Sequence, residues 1–441
     1  MIWFEFLFVL LLILIGARMR GMGLGIAGGV GMLILVFFFH LKPVSPPIDV
    51  MLIILAVITA AATLQAAGGL DILVNWAAYI LRQNPKRITL LAPLVTYFFT
   101  LFAGTAHVNY SVLPVIAEVA LRQRIRPERP LSISVIASHL AITGSPVGAA
   151  TAALTVMLSP SGLDLIDILK VCIPSGIIGT LLGTIAAGMM GKNLEKDPVF
   201  LQKMNDPEFV EELETDTTVK IKSKKRGGYL ALAVFFAAVS VIIFFGAFPQ
   251  FRPIFESEGK AEPMRTAEII EIIMLSAAAF MLVLSRTKAT EPVKTPIFKA
   301  GSEAIVSIFG VVWMSDTFLK GNELFFKENL GAMVQAYPWT FAIALFVFSA
   351  LVFSQTAAIR ALVPLGLSIG IAPVQLLAMF PAANGDFFIP GYPTLLAAIG
   401  FDRSGSTKIG KYLFNHSFMW PGLVGVGGAV VAGLVIVNIF Y

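Results

Sequence analysis

Charge is what this sequence has least of. Asp, Glu, Lys and Arg make up 13% of its 441 residues, against roughly 25% in soluble domains. Hydrophobic residues reach 57% and the mean hydropathy is +0.84. A soluble globular domain is thereby excluded, and an all-α polytopic membrane protein is expected. The lone cysteine, Cys172, lies in an apolar stretch; it rules out an internal disulfide and fits a chain whose function needs no thiol chemistry. The net charge of +5 comes from basic loops. No Lys/Arg cluster is interleaved with exposed aromatics, so no nucleic-acid partner is expected. The first segment lacks a basic start and a small-residue cleavage site, and reads as a retained span.

What is abundant is apolar runs of about 20 residues, the length of a membrane span. They fall near 2–17, 22–40, 49–68, 131–158, 165–190, 228–247, 266–285, 299–318, 373–400 and 412–440, which predicts ten full spans. The basic stretches at 17–20, 82–87, 122–130, 220–226 and 285–294 belong on the cytoplasmic side by the positive-inside rule. Both termini then lie outside. Residues 88–121 have basic flanks that demand the same side, so they form a re-entrant hairpin with "GTAHVNY" at its tip. Residues 335–370 behave alike around "SQTAAIR", with both flanks outside. Irregular backbone at membrane depth is tolerated only when buried in protein.

The two halves match. Aligning Pro114 with Pro364 pairs the two tips, and "GSPVGAATAAL" (144–154) then meets "GYPTLLAAIGF" (391–401). Each half reads as three spans, a hairpin, a broken span and a last span. The first half starts outside and the second inside, the inverted-repeat plan of many secondary transporters. The boundaries are 1–190, with hairpin 88–121 and broken helix 131–158, and 228–441, with hairpin 335–370 and broken helix 373–400. Between them, residues 191–227 form a charged cytoplasmic connector, read as a solvated linker.

Hairpin tips expose free backbone groups, and half-helix N-termini carry partial positive charge suited to an anion. Thr105, His107 and Asn109 at the first tip, and Ser354, Gln355 and Thr356 at the second, add side-chain donors. The bland alternative is that small polar residues only glue helices together. The helix breaks are Gly144 and Pro146 around Ser145, and Gly391 and Pro393 around Tyr392, with Thr394 just beyond. Arg360, one turn after the second tip, can take a carboxylate bidentately. Its alternatives are the interface or a pair with Asp386. His139 reads as a hydrogen-bonded packing group, and His416 as less informative. The small residues of 21–31 suggest close helix packing, within the chain or between subunits of a homodimer.

These stretches resemble the bacterial anaerobic C4-dicarboxylate transporter (Dcu) family of the DcuA/DcuB type. The resemblance is carried by "ATLQAAGGLD", "NPKRITLLAPLVTYFFTLFAGTAHVNYSVLPVIAE", "IRPERPLS", "AYPW" and "YPTLLAAIGFDRSGSTKIGKYLFNHSF". It implies an inner-membrane antiporter of aspartate, fumarate, malate and succinate. More distantly, "SQTAA" is similar to the Ser-Asn-Thr tip of sodium-coupled dicarboxylate and citrate carriers, which implies an elevator with scaffold and transport domains. Gln355 stands in place of that asparagine, which leaves the coupling ion open and a cation-coupled symporter or uniporter as the alternative. No cofactor and no metal centre are expected. An intramembrane protease is disfavoured: in "ANGDFF" Ala383 replaces the first glycine of the aspartyl motif, and Asp386 lacks a second intramembrane Asp. A serine mechanism would need a base beside Ser145, and His139 lies on another helical face.

Overall fold

The computed structural model describes residues 2–19, 22–46, 48–106, 109–207, 209–210, 225–257, 260–322, 325, 337–410 and 415–441. His107 and residues 211–224 of the connector lie outside them. The described chain is mostly helical. Its first half comprises α1 (Ile2–Met19), α2 (Gly23–Phe37), α3 (Ile48–Ala66), α4 (Gly69–Gln83), α5 (Ile88–Ala103), α6 (Asn109–Arg122), α7 (Glu128–Thr143), α8 (Ala149–Leu158) and α9 (Leu165–Gly188). The connector carries a short α10 (Pro198–Lys203). The second half comprises α11 (Lys225–Ala247), α12 (Thr266–Ser285), α13 (Pro296–Gly321), α14 (Thr340–Val352), α15 (Gln355–Ser368), α16 (Pro373–Met379), α17 (Pro393–Phe401) and α18 (Met419–Phe440). One departure from an all-helical chain is the antiparallel pair β1 (Ile254–Ser257) and β2 (Lys260–Pro263), in the loop between α11 and α12.

Both predicted hairpin segments fold as helix pairs, α5/α6 and α14/α15, and both predicted broken spans are broken. Among the described residues, five helical segments are long and apolar enough to cross a bilayer: 85–103, 165–188, 226–246, 267–285 and 419–440. Helices α3 and α4 pass that test only together and meet at 68°. Ten full spans are thus not reached on length alone, because the central helices are short and interrupted. Helix α4 is the element that the span count overlooked. Its Ile72, Leu73, Ala77 and Leu81 are buried while Tyr79 is exposed, the one-sided pattern of a helix lying on a surface. Gly68 turns the corner into it at φ 84°, a conformation glycine adopts without steric cost.

Packing crosses between the halves. Helix α2 packs on α13 and α3 on α12; α8 packs on α15, α6 on α17, and α9 on α18. The α2–α13 contact is made backbone to backbone. A Cβ added at Gly28 would sit 2.2 Å from the Gly310 carbonyl carbon, and one at Gly310 would sit 1.9 Å from Gly25 O. The glycine ridge of 21–31 therefore packs within the chain. Small residues allow this approach where no hydrophobic driving force between helices exists. Gly179 and Gly183 of α9 let it close on Gly425 and Pro421 of α18 in the same way.

The connector is docked at its start, contrary to the solvated-linker reading. Phe200 is 1% exposed and packs with Leu121 and Leu194. Arg126 bridges Asp197 and Glu128. Ser417 Oγ–H donates to Glu128 Oε1 (2.7 Å), and the Glu128 amide donates to Ser406 Oγ (3.1 Å), which donates to Asp402 (2.8 Å). One network thus ties the connector to both halves. Sequence reading missed it because the anchor, Phe200, sits in a four-residue apolar run, Pro198 to Leu201, that is far too short to register as a span in a charged stretch.

Two outcomes follow from this packing. A Gly310→Val substitution should lower the thermal midpoint in detergent and the monodisperse yield, since overpacking costs about 1–3 kcal/mol even where side chains can yield and here the obstacle is backbone. Gly29→Val, where a Cβ meets nothing within 4 Å, should be nearly silent. The second outcome concerns Asp197. Burial alone would raise its carboxyl, but the Arg126 hydrogen bond and the Val199 and Phe200 amides hold it below the ordinary 3.8. Its contribution to docking is then full above that value and is lost as pH falls through the depressed one. Arg126→Gln should expose the connector to limited proteolysis at neutral pH. An unchanged cleavage rate would show that Phe200 alone holds it.

Candidate functional site

The two helix breaks and the two hairpin turns meet at the centre of the fold. Proline explains the first break. Pro146 lacks the amide that would reach Ile142 O, and Ser145 N (3.1 Å) and Thr151 Oγ1 (2.9 Å) bond that carbonyl instead. Ser145 is buried, and its Oγ accepts from Val147 N (3.3 Å), so it serves the break itself. Gly144 caps the end of α7. The second break is wider than the Gly391–Pro393 pair predicts. It runs through 3₁₀ turns at Phe380–Ala383 and Gly385–Phe387 and continues to Tyr392, because Pro381, Pro390 and Pro393 each withhold an amide. Gly385 N finds Ser349 Oγ of α14 at 2.9 Å.

Each tip seats on the break of its own half. Gly104 ends α5 at φ 68°, and a Cβ there would sit 2.7 Å from Val147 O. Phe353 ends α14 at φ 52°, with its ring beside Gly391. Ser354 caps α15 by accepting from Ala357 N (3.2 Å), which leaves the other first-turn amides of that helix as free donors. Thr105 is half-buried and lines a small apolar cavity of about 50 Å³ with Ile54, Ala61 and Ala152.

Adjacent residues of α7 bind across the interior. Asn109 Nδ2, at the start of α6, donates to Ser138 Oγ. His139 is 1% exposed; its Nδ1–H donates to Asp386 Oδ1 (2.9 Å), and its Nε2 lies 3.0 Å from Thr394 Oγ1. The Tyr392 ring stands edge-on to the imidazole at 4.9 Å. Gln355 Nε2 donates to His139 O (3.3 Å) and to Asn384 Oδ1. Asn109, Gln355, Tyr392 and Thr394 of the predicted set are therefore brought together around Ser138 and His139. The packing role expected for His139 understates its place, since it joins the halves through Asp386 and Thr394. Asp386, Asn384 and Ser138 were not predicted as site residues. The available signal was a carboxylate and an amide inside an apolar stretch.

Arg360 stands apart from this network. It is five positions beyond Gln355 on α15 and shares a helix face with half-buried Thr356, four positions before it. Its side chain is 0% exposed, and Nε, Nη1 and Nη2 have no hydrogen-bond partner among the described residues. The pair with Asp386 is not formed; that carboxylate bonds His139 through Oδ1. A buried guanidinium with all its nitrogens free is costly in isolation and is shaped to accept a carboxylate in bidentate fashion. Other buried atoms left open are Asp386 Oδ2, Gln355 Oε1 and Asn109 Oδ1. No cluster of three or more His, Cys, Asp or Glu capable of holding a metal occurs among the described residues.

The family described as anaerobic C4-dicarboxylate membrane transporter matches residues 1–441. The anaerobic C4-dicarboxylate transporter DcuB of Escherichia coli O6:H1 is 41% identical over 412 residues, covering 92% of each chain. The C4-dicarboxylate transporter DcuA of Wolinella succinogenes is 38% identical over 419 residues, covering 93% of each. In three dimensions the chain is similar to the YdaH transporter of Alcanivorax borkumensis, with a TM-score of 0.55 at 14% identity, over 94% of this chain and 89% of that one. These relatives are named as transporters and not as enzymes. The chain is a multi-pass membrane protein belonging to the anaerobic C4-dicarboxylate membrane transporter family of DcuA and DcuB.

Proposed function

We propose that the protein exchanges C4-dicarboxylates across the bacterial inner membrane, taking up aspartate, fumarate or malate against internal succinate. The observation that carries the reading is Arg360: a fully buried guanidinium with three open nitrogens, one turn inside the helix whose first-turn amides face the same tip. A dianion leaving water needs cationic and dipolar compensation, and this turn supplies both. Thr356 adds a hydroxyl on the same face. The relatives' names supply the substrate class.

Two inverted repeats, 1–190 and 228–441 joined by 191–227, organise this reading. Support comes from the reciprocal packing of α2 on α13 and α3 on α12, and of α8 on α15 and α6 on α17. Each pair exchanges equivalent elements of the two halves. Ten spans and two re-entrant hairpins follow, with basic loops cytoplasmic and termini periplasmic. Helices α1–α3 and α11–α13 serve as scaffold. The hairpins, broken helices, α9 and α18 serve as the transport domain, which slides as an elevator in a homodimer.

Purified protein in liposomes loaded with unlabelled succinate should take up labelled fumarate or aspartate much faster than empty liposomes do. Equal uptake with and without internal dicarboxylate would point to a uniporter or a cation-coupled symporter instead. Arg360→Ala should weaken succinate binding about 10- to 150-fold, the worth of a charge-assisted hydrogen bond, and Arg360→Lys should restore only part of it. Calorimetry on both variants checks this, and unchanged affinity in Arg360→Ala would remove the residue from the site.

A further inference from the structure

Arg360 lies against a helix of the other group. Helix α15 packs on α13, and Met314 and Phe318, which flank Asp316 on α13, share one buried apolar cluster with Ile359 and Val363, which flank Arg360. Asp316 Oδ1 is buried and has no hydrogen-bond partner among the described residues. Asp316 and Arg360 feel each other's charge, and the other charge acting on Asp316 is Lys320, at the exposed end of α13. The two groups are not within ion-pair distance, so a cation and an anion face each other across a helix interface, each with open hydrogen-bonding atoms. Such a pair attracts strongly over several ångströms because little water screens it.

We infer that Asp316 is the counter-charge of Arg360 in the empty carrier, and that it competes with the substrate carboxylate for the guanidinium. The inference rests on the reading of Arg360 as the substrate's cation. When a dicarboxylate is bound, Arg360 is neutralised by cargo that moves with α15. When the site is empty, the compensation belongs to α13. Moving the empty hairpin past α13 then separates two buried opposite charges, whereas moving the loaded one does not. The electrostatic contact thereby disfavours the return of an empty carrier and makes exchange faster than net transport. Asp316 acts as a positioning residue and touches no substrate.

The test combines two readouts that structural damage alone would not move together. In Asp316→Asn, succinate should bind roughly three- to tenfold more tightly, because a competing anion has gone. Net efflux of labelled succinate into substrate-free medium should rise severalfold relative to exchange. Asp316→Glu, which keeps the charge, should stay near the wild-type ratio, and Asp316→Ser replaces the asparagine variant if that one does not fold. Weaker or unchanged binding in the neutral variant, or an unchanged ratio of efflux to exchange, overturns the inference. If wild-type protein and Arg360→Ala bind succinate equally, the parent reading has failed instead.

Discussion

A chain that unwinds its helices inside an apolar interior must find a partner for every backbone group it frees. Most of the central architecture answers that demand. Pro146 opens Ile142 O, and Thr151 closes it. Three prolines open the stretch from Phe380 to Tyr392, and Ser349 and His416 reach in from α14 and the loop before α18 to bond it. The tips pack there too: Gly104 lies against Val147 of its own half, Phe353 against Gly391, and Gln355 bonds Asn384 and, across the halves, His139 O. Hairpin and break are therefore one unit. In the second half, removing the hairpin would leave Gly385 N and Asn384 Oδ1 without Ser349 and Gln355, and an unpaired buried group costs about 1–3 kcal/mol.

Within that frame, the side chains divide into two populations. Those near Ser138 and His139 bond one another, with Asp386 Oδ2, Gln355 Oε1 and Asn109 Oδ1 left open, and they join the first half to the second through neighbouring residues of one helix. Those on the Thr356–Arg360 face do not. The first population favours one arrangement of the halves, since each of its bonds specifies a partner far along the chain. The second is the one that the proposed function assigns to the substrate. A fold that used the same residues for both tasks would have to dismantle its own core to release what it binds.

Much of this was legible in the sequence. Apolar runs locate the helices to within a few residues in most cases, and the flanks of 88–121 and 335–370 single out the two segments that fold as helix pairs. The Gly-x-Pro signals find the two breaks because a missing amide is a local property. Three features escaped for equally physical reasons. Helix α4 alternates polar and apolar residues at helical spacing, which a span count averages away. The second break extends ten residues upstream because Pro381 acts there without a glycine to mark it. The bonds of His139 depend on residues far along the chain, which no local pattern can report.

That last distance bears on how the protein is made. His139 and Asp386 are 247 positions apart. At about 5–20 residues per second of synthesis, roughly ten to fifty seconds separate the emergence of the imidazole from that of its carboxylate. During this interval the first half resides in the bilayer with a polar ring on α7 whose eventual ligands do not yet exist. The nascent half therefore cannot be its mature self. It must either admit water to that ring or hold α7 loosely until the second half arrives, so the last bonds to form are those that define the centre.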